Sequence, residues 1–307
     1  MKFQRKWRGA LALAAGAAAA LPAHAEVIEI TGEFPAPSRE ASLLTSLHVA
    51  PISGQDGPAL EIAIERALAN GVPFALVAGR AGRQGAEGTL SGTVSTGVEE
   101  SRYTRKDKHC VQKDANNKKC VKEEEVEVPC KRRVVNVNAD LRIVRETDGR
   151  IVYSRGFPIR DEITWCQKEN PPRTVEESVS NAIGNIAGSI RYDVAPRVET
   201  YRIRLRETNK GMDKPTAQQF KALIKSSQRD MRGACQAWTA MDQATPGNGS
   251  LLYNLGLCAE QRGDYEGAIA LYRRAVAAGA REGSDGANRA TQLIAGRDDA
   301  RERAKRR

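Results

Sequence analysis

The chain has 307 residues, 28% of them charged and only 5% aromatic, with a formal net charge of +10. That length accommodates one or two sizeable cores. Aromatic and basic residues do not interleave, which excludes a base-stacking surface, so no nucleic-acid partner is expected.

Lys2, Arg5, Lys6 and Arg8 form a basic start, residues 10–21 are an alanine-leucine run, and Ala23-His24-Ala25 has the small-x-small form of a cleavage site. Residues 1–25 are therefore expected to be a signal peptide cleaved after Ala25, leaving a periplasmic chain that starts at Glu26. About a dozen apolar residues cannot cross a hydrocarbon layer of ~30 Å, so no transmembrane span is expected. No cysteine follows the cleavage site to take a lipid. Losing four cations lowers the formal charge to +6. Such a surplus could meet an anionic envelope surface.

Residues 26–45, with Pro35 and Pro37, are expected to be an extended leader, and residues 46–208 an α/β domain. Residues 47–52 suit a first strand. Pro58 suits the first turn of a helix in which Leu60, Ile64 and Leu68 share a face. A strand is expected over 74–78. The glycines at 79, 82, 85 and 88 match neither the dinucleotide fingerprint nor the P-loop, so a connection without a nucleotide is expected there.

From Leu90 to Phe157 the pattern alternates as in antiparallel strands. Val135, Val137, Ala139, Leu141 and Ile143 fall on one face, and Asn136, Asn138, Asp140 and Arg142 on the other. A turn at Thr147-Asp148-Gly149 sets Glu146 opposite Arg150 and Ile143 opposite Tyr153. Thr174 with Glu177 forms a capping box for a helix whose stripe is Val175, Val179, Ile183, Ile186 and Ile190. Residues 197–205 alternate as a closing edge strand, and 209–215 are a linker.

Six cysteines in an exported chain point to disulfides. Cys110, Cys120 and Cys130 stand too far apart for zinc ligands, and no Cys-x-x-Cys is present for redox work. A turn centred on Ala115 brings Cys110 and Cys120 together. The preferred remaining pairs are Cys130 with Cys166 and Cys235 with Cys258, among the fifteen pairings that six cysteines allow.

Two C-terminal segments align at an offset of 34 residues: Ala234 with Ala268, Trp238 with Tyr272, and Met241 with Ala275. With Leu252, Leu255 and Gly256 ahead of Gly263-Asp264-Tyr265, this resembles the tetratricopeptide repeat. The first repeat departs from the pattern at Lys221. The resemblance implies an all-α module over 216–307, with a basic tail, that docks a peptide segment of a protein partner. In the first domain, Gly88-Thr-Leu-Ser-Gly-Thr-Val94 and Thr147-Asp-Gly-Arg-Ile-Val-Tyr-Ser154 sit in a strand-helix-strand, hairpin, long-helix order. That order is similar to the N-terminal domain of the Tol-Pal translocation protein and to the curli-secretion outer-membrane component. It implies a role in the cell envelope.

The expected fold is thus a disulfide-braced α+β domain, mostly antiparallel, followed by a short tetratricopeptide module. After processing only His48 and His109 remain as histidines, with no nucleophile in a recognisable setting beside either. Glu123-Glu124-Glu125 is a solvated face. No catalytic residue, cofactor or metal is expected, and the chain is not expected to be an enzyme. The expectation is a non-enzymatic scaffold for envelope assembly or maintenance. The alternatives are an accessory subunit of an outer-membrane secretion assembly, or an accessory of an envelope enzyme.

Overall fold

The computed structural model describes residues 26–69, 71–79, 85–114, 116 and 119–306. The expected signal peptide and residues 80–84 of the glycine-rich connection lie outside the described residues, as does Ala115. The described residues form seven strands and eight helices around two hydrophobic cores. The fold is α+β with three disulfides.

The described chain opens on β1 (Val27–Phe34) and one helical turn, α1 (Arg39–Ser42). The α/β body follows, as β2 (Ser46–Val49), α2 (Gly57–Leu68), β3 (Ala75–Leu76), β4 (Gly88–Lys113), β5 (Cys120–Arg145), β6 (Ile151–Cys166) and α3 (Val175–Val194). Its five-stranded sheet runs β3-β2-β4-β5-β6. The first three strands are parallel, and β4, β5 and β6 form antiparallel ladders.

Two helices close one face of this sheet. Pro58 lies in the first turn of α2, and Leu60, Ile64 and Leu68 turn inward. The Thr174 hydroxyl accepts from the Glu177 N–H at 3.1 Å, and the Glu177 carboxylate accepts from the Thr174 N–H at 2.8 Å. That reciprocal cap starts α3 and presents Ile183, Ile186 and Ile190 to the core. Along β5, residues 135, 137, 139, 141 and 143 are buried, while 138, 140 and 142 face solvent on the uncovered side.

At the β5–β6 turn Ile143 stands opposite Tyr153, as the alternation requires, and Gly149 has φ +69°. The register shifts between Ile143 and Val144, however. Arg145 therefore bonds across to Arg150, and the Glu146 N–H turns to the Glu87 carbonyl. The expected Glu146–Arg150 pairing does not form.

The second core belongs to a helical unit. It comprises β7 (Arg197–Arg204), α4 (Lys214–Ser226), α5 (Met231–Ala244), α6 (Gly249–Gln261), α7 (Tyr265–Ala277) and α8 (Gly283–Arg306). Asp213, Asp230, Asn248 and Asp264 cap α4 to α7 by accepting backbone N–H bonds, and each helix packs on the next.

Two expectations change here. The 26–45 stretch is no extended leader, because residues 27–34 form β1. The 197–205 strand does not close the five-stranded sheet but pairs antiparallel with β1 along its length. Ile28 and Ile30 of β1 join the helical core. Their alternating apolar side chains need a second surface, and α6 and α8 supply it. Across the units, Arg39 binds Asp299 at 2.6 Å and Glu302 at 2.8 Å.

Candidate functional site

The main departure from a packed fold is the outer half of the β4–β5 hairpin. Both strands are 26 residues long. At about 3.3 Å per residue such a strand spans about 85 Å, well beyond the sheet it starts from. β6 accompanies β5 only as far as the Cys130–Cys166 pair. Past that point residues 104–113 and 120–129 continue as a two-stranded ribbon. Apart from Asp107 and Val128, which are half-buried, every side chain in it is exposed.

A two-stranded ribbon in water is marginal by itself, and this one is stapled. Cys130 and Cys166 are direct cross-strand partners at its base. Cys110 and Cys120 are joined near its tip, with Cα atoms 5.6 Å apart. They are not cross-strand partners, as a turn at Ala115 requires. Cys110 faces Glu123 and Cys120 faces Lys113, and register shifts between Cys110 and Lys113 bring the sulfurs together. Lys106–Glu125 at 3.9 Å and Lys108–Glu123 at 4.0 Å add little in full solvent. The ribbon is sided in charge: Arg105, Lys106, Lys108 and Lys113 outnumber Asp107 on β4, and Glu123, Glu124, Glu125 and Glu127 outnumber Lys122 on β5. Its outer strand edges carry no partner strand among the described residues.

The sequence-selected residues of the helical unit lie elsewhere in the architecture. Ala234, Trp238, Leu252, Leu255, Ala268, Tyr272 and Ala275 are all buried. They hold helices together and offer a partner nothing directly. Gly256 is small for the same reason: a Cβ there would stand 2.5 Å from the Tyr272 ring. Cys235 and Cys258 join α5 to α6, with Cα atoms 5.9 Å apart. The shared face of α6 and α8, where a peptide could lie, is covered by β1 of the same chain. Gln261 Nε2 donates to the Glu29 carbonyl there at 3.0 Å.

A buried polar cluster fastens this arrangement. Glu260 of α6 accepts from the Tyr201 hydroxyl at 2.6 Å, the Tyr272 hydroxyl at 2.5 Å, and Arg289 Nε and Nη2 at 2.5 and 2.7 Å. Burial, followed by the Glu260 charge and its hydrogen bond, pushes the Tyr272 phenol well above its ordinary range.

His48 is buried in β2 with Nδ1 3.0 Å from the Val77 carbonyl, whereas His109 is exposed on the ribbon opposite Glu124. The structure does not bring the two together. Among the described residues no His/Cys/Asp/Glu group could hold a metal, and no helix is long and apolar enough to cross a membrane.

No protein-family model and no curated protein matches the chain. Among solved structures it is similar to a PelC dodecamer from Paraburkholderia phytofirmans, at 18% identity and a TM-score of 0.26, over 55% of this chain and 98% of that one. It is also similar to a provisionally named lipoprotein from Caulobacter crescentus CB15, at 14% identity and a TM-score of 0.26, over 52% of this chain and 91% of that one. These likenesses assign no function to it.

Proposed function

We propose that this is a non-enzymatic interaction protein of the periplasm that serves assembly or maintenance of the cell envelope. Its docking element is the outer β4–β5 ribbon. In this proposal α4–α5 and α6–α7 are tetratricopeptide repeats used as the scaffold, with part of their peptide-binding face already taken by β1. The observation that carries it is that residues 104–113 and 120–129, Asp107 and Val128 apart, are exposed on both faces and serve neither core. The ribbon is braced without being packed, as a contact arm would be. Its partner is a protein, because unpaired strand edges recruit another strand through main-chain hydrogen bonds. Three disulfides place folding in an oxidising compartment.

The test is a photo-activated cross-linker at Thr104 or Val121 of the full chain, in the intact envelope. A defined protein adduct is expected from these positions and not from Lys221 on α4. Adducts to lipid alone, or none from the ribbon, would sink the proposal. A second reading, a subunit of a secretion ring, is favoured by those same open edges, through which copies could join side by side. Elution far above the monomer position would support it.

A further inference from the structure

The main chain fixes which residues each open edge of the ribbon presents. On β4 the Leu90 and Gly92 carbonyls and the Val94 N–H bond to Ala50 and Ser53, away from β5. The β4–β5 register runs without a shift as far as Cys110, so the same outward direction recurs at Thr104, Lys106 and Lys108. On β5 the Pro129 carbonyl turns away from β4 to accept from the Gln167 N–H. Glu127, Glu125 and Glu123 therefore point their peptide groups out of the opposite edge. Lys106 stands opposite Glu127 and Lys108 opposite Glu125, so all these side chains share one face.

One edge thus offers peptide groups flanked by lysines, and the other offers them flanked by glutamates. Charge keeps a strand edge single when every approaching copy meets its own sign. Here the signs differ, and they select one pairing. Two β4 edges would set lysine against lysine, and two β5 edges glutamate against glutamate, both unfavourable. A β4 edge beside the β5 edge of another copy sets Lys106 and Lys108 directly opposite glutamates, because outward residues pair with outward residues in an antiparallel ladder. A slip by one pleat repeat merely trades one glutamate for the next. Each lysine already has a glutamate of its own ribbon at 3.9 or 4.0 Å, but all four side chains are more than half exposed. Their flank toward the edge stays open to a second partner.

We propose that the strand recruited by the ribbon is the ribbon of a second copy of this chain, the β4 edge of one against the β5 edge of the next. This rests on the ribbon being the docking element and names its partner. The contact is heterologous, so each added copy leaves one edge of each sign unfilled, and assembly proceeds past a dimer.

The test is sedimentation velocity of the disulfide-bonded chain over a concentration series. Wild type is expected to form species larger than a dimer, which dissociate as salt is raised. K106E/K108E makes both edges acidic and E123K/E125K makes both basic. Either alone should weaken self-association about tenfold or more, and mixing the two should restore it. The fourfold variant K106E/K108E/E123K/E125K keeps opposite signs on its two strands, so its ribbon retains internal pairing whatever the double variants do. It should assemble with itself, and a fluorescently labelled sample should not enter wild-type assemblies. A monomeric wild type at every concentration, double variants that associate as wild type does, or a fourfold variant that mixes freely with wild type would overturn the proposal. The cross-linker at Thr104 separates it from the docking role. An adduct to a different protein, with a monomeric wild type, keeps that role and removes this partner, whereas no adduct from the ribbon removes both.

Discussion

The Glu260 side chain is fully buried and accepts four hydrogen bonds, from Tyr201, Tyr272 and both bonding nitrogens of Arg289. Glu260→Ala removes the counter-charge and strands Arg289, which is itself largely buried. Breaking a buried pair from one side costs about 3–5 kcal/mol, and urea unfolding should show a loss of that order. A loss below about 1 kcal/mol, the range of an exposed pair, would mean that solvent reaches Arg289 freely. Glu266 shows the opposite case. Its exposed carboxyl is held at about 2, first by hydrogen bonds from Arg297, at 2.6 and 3.0 Å. A carboxylate lowered in the fold contributes stability above its ordinary value of 4.5, and that contribution disappears as pH falls toward about 2. Melting curves of Glu266→Gln should therefore lie below wild type at pH 6 and converge with it near pH 2, about where the last proton binds. Neither role was visible in the sequence. Tyr201 lies 59 positions from Glu260 and Arg297 lies 31 from Glu266, and only the packing of distant elements pairs them.

Elements whose cause is local were legible. The Thr174 cap, the helical stripe of α3 and the alternation of β5 all come from neighbours within a few residues, and each stands where its pattern placed it. The Cys235–Cys258 bond was a preferred pairing, and α5 and α6, adjacent in the chain, pack side by side to allow it. The hairpin strands were expected, but that their outer half stands clear of the sheet was not, because beyond Val94 no residue of β4 is buried while the strands go on. Alternation reports burial, and a strand with both faces in water has none to report. β1 was missed because its partner β7 is separated from it by the whole α/β body. The Cys235–Cys258 loop, 23 residues of separation, is stabilised by about 3 kcal/mol in the chain-entropy account. Cys258→Ser is therefore expected to raise hydrogen exchange in α4 to α8, and in β1 and β7 with them, while α2 and α3 keep their protection. Unchanged exchange throughout the helices would show that packing alone holds α5 to α6.

For the whole molecule, the two cores meet through β1 and α1 at one end of the described chain and α8 at the other. β1 pairs with β7, lies on α6 and α8, and runs into the segment where Arg39 binds Asp299 and Glu302. Ile28, Ile30 and Phe34 are buried, and fully burying one such side chain is worth about 1.5–3 kcal/mol. Three of them approach the margin of about 5–15 kcal/mol that holds an ordinary domain together. Removing residues 26–34 also strips the covering from the α6–α8 face and leaves β7 without a partner. A chain lacking those residues should therefore lose most hydrogen-exchange protection in α6, α7 and α8. Its α/β core, built from α2, α3 and β5 with no contribution from β1, should keep its own. The bared helical face should also bind a hydrophobic dye that the intact chain ignores. Protection lost equally from both cores would show that they unfold as a single unit joined through Arg39. Protection kept in both would mean that β1 only rests on a helical unit stable without it.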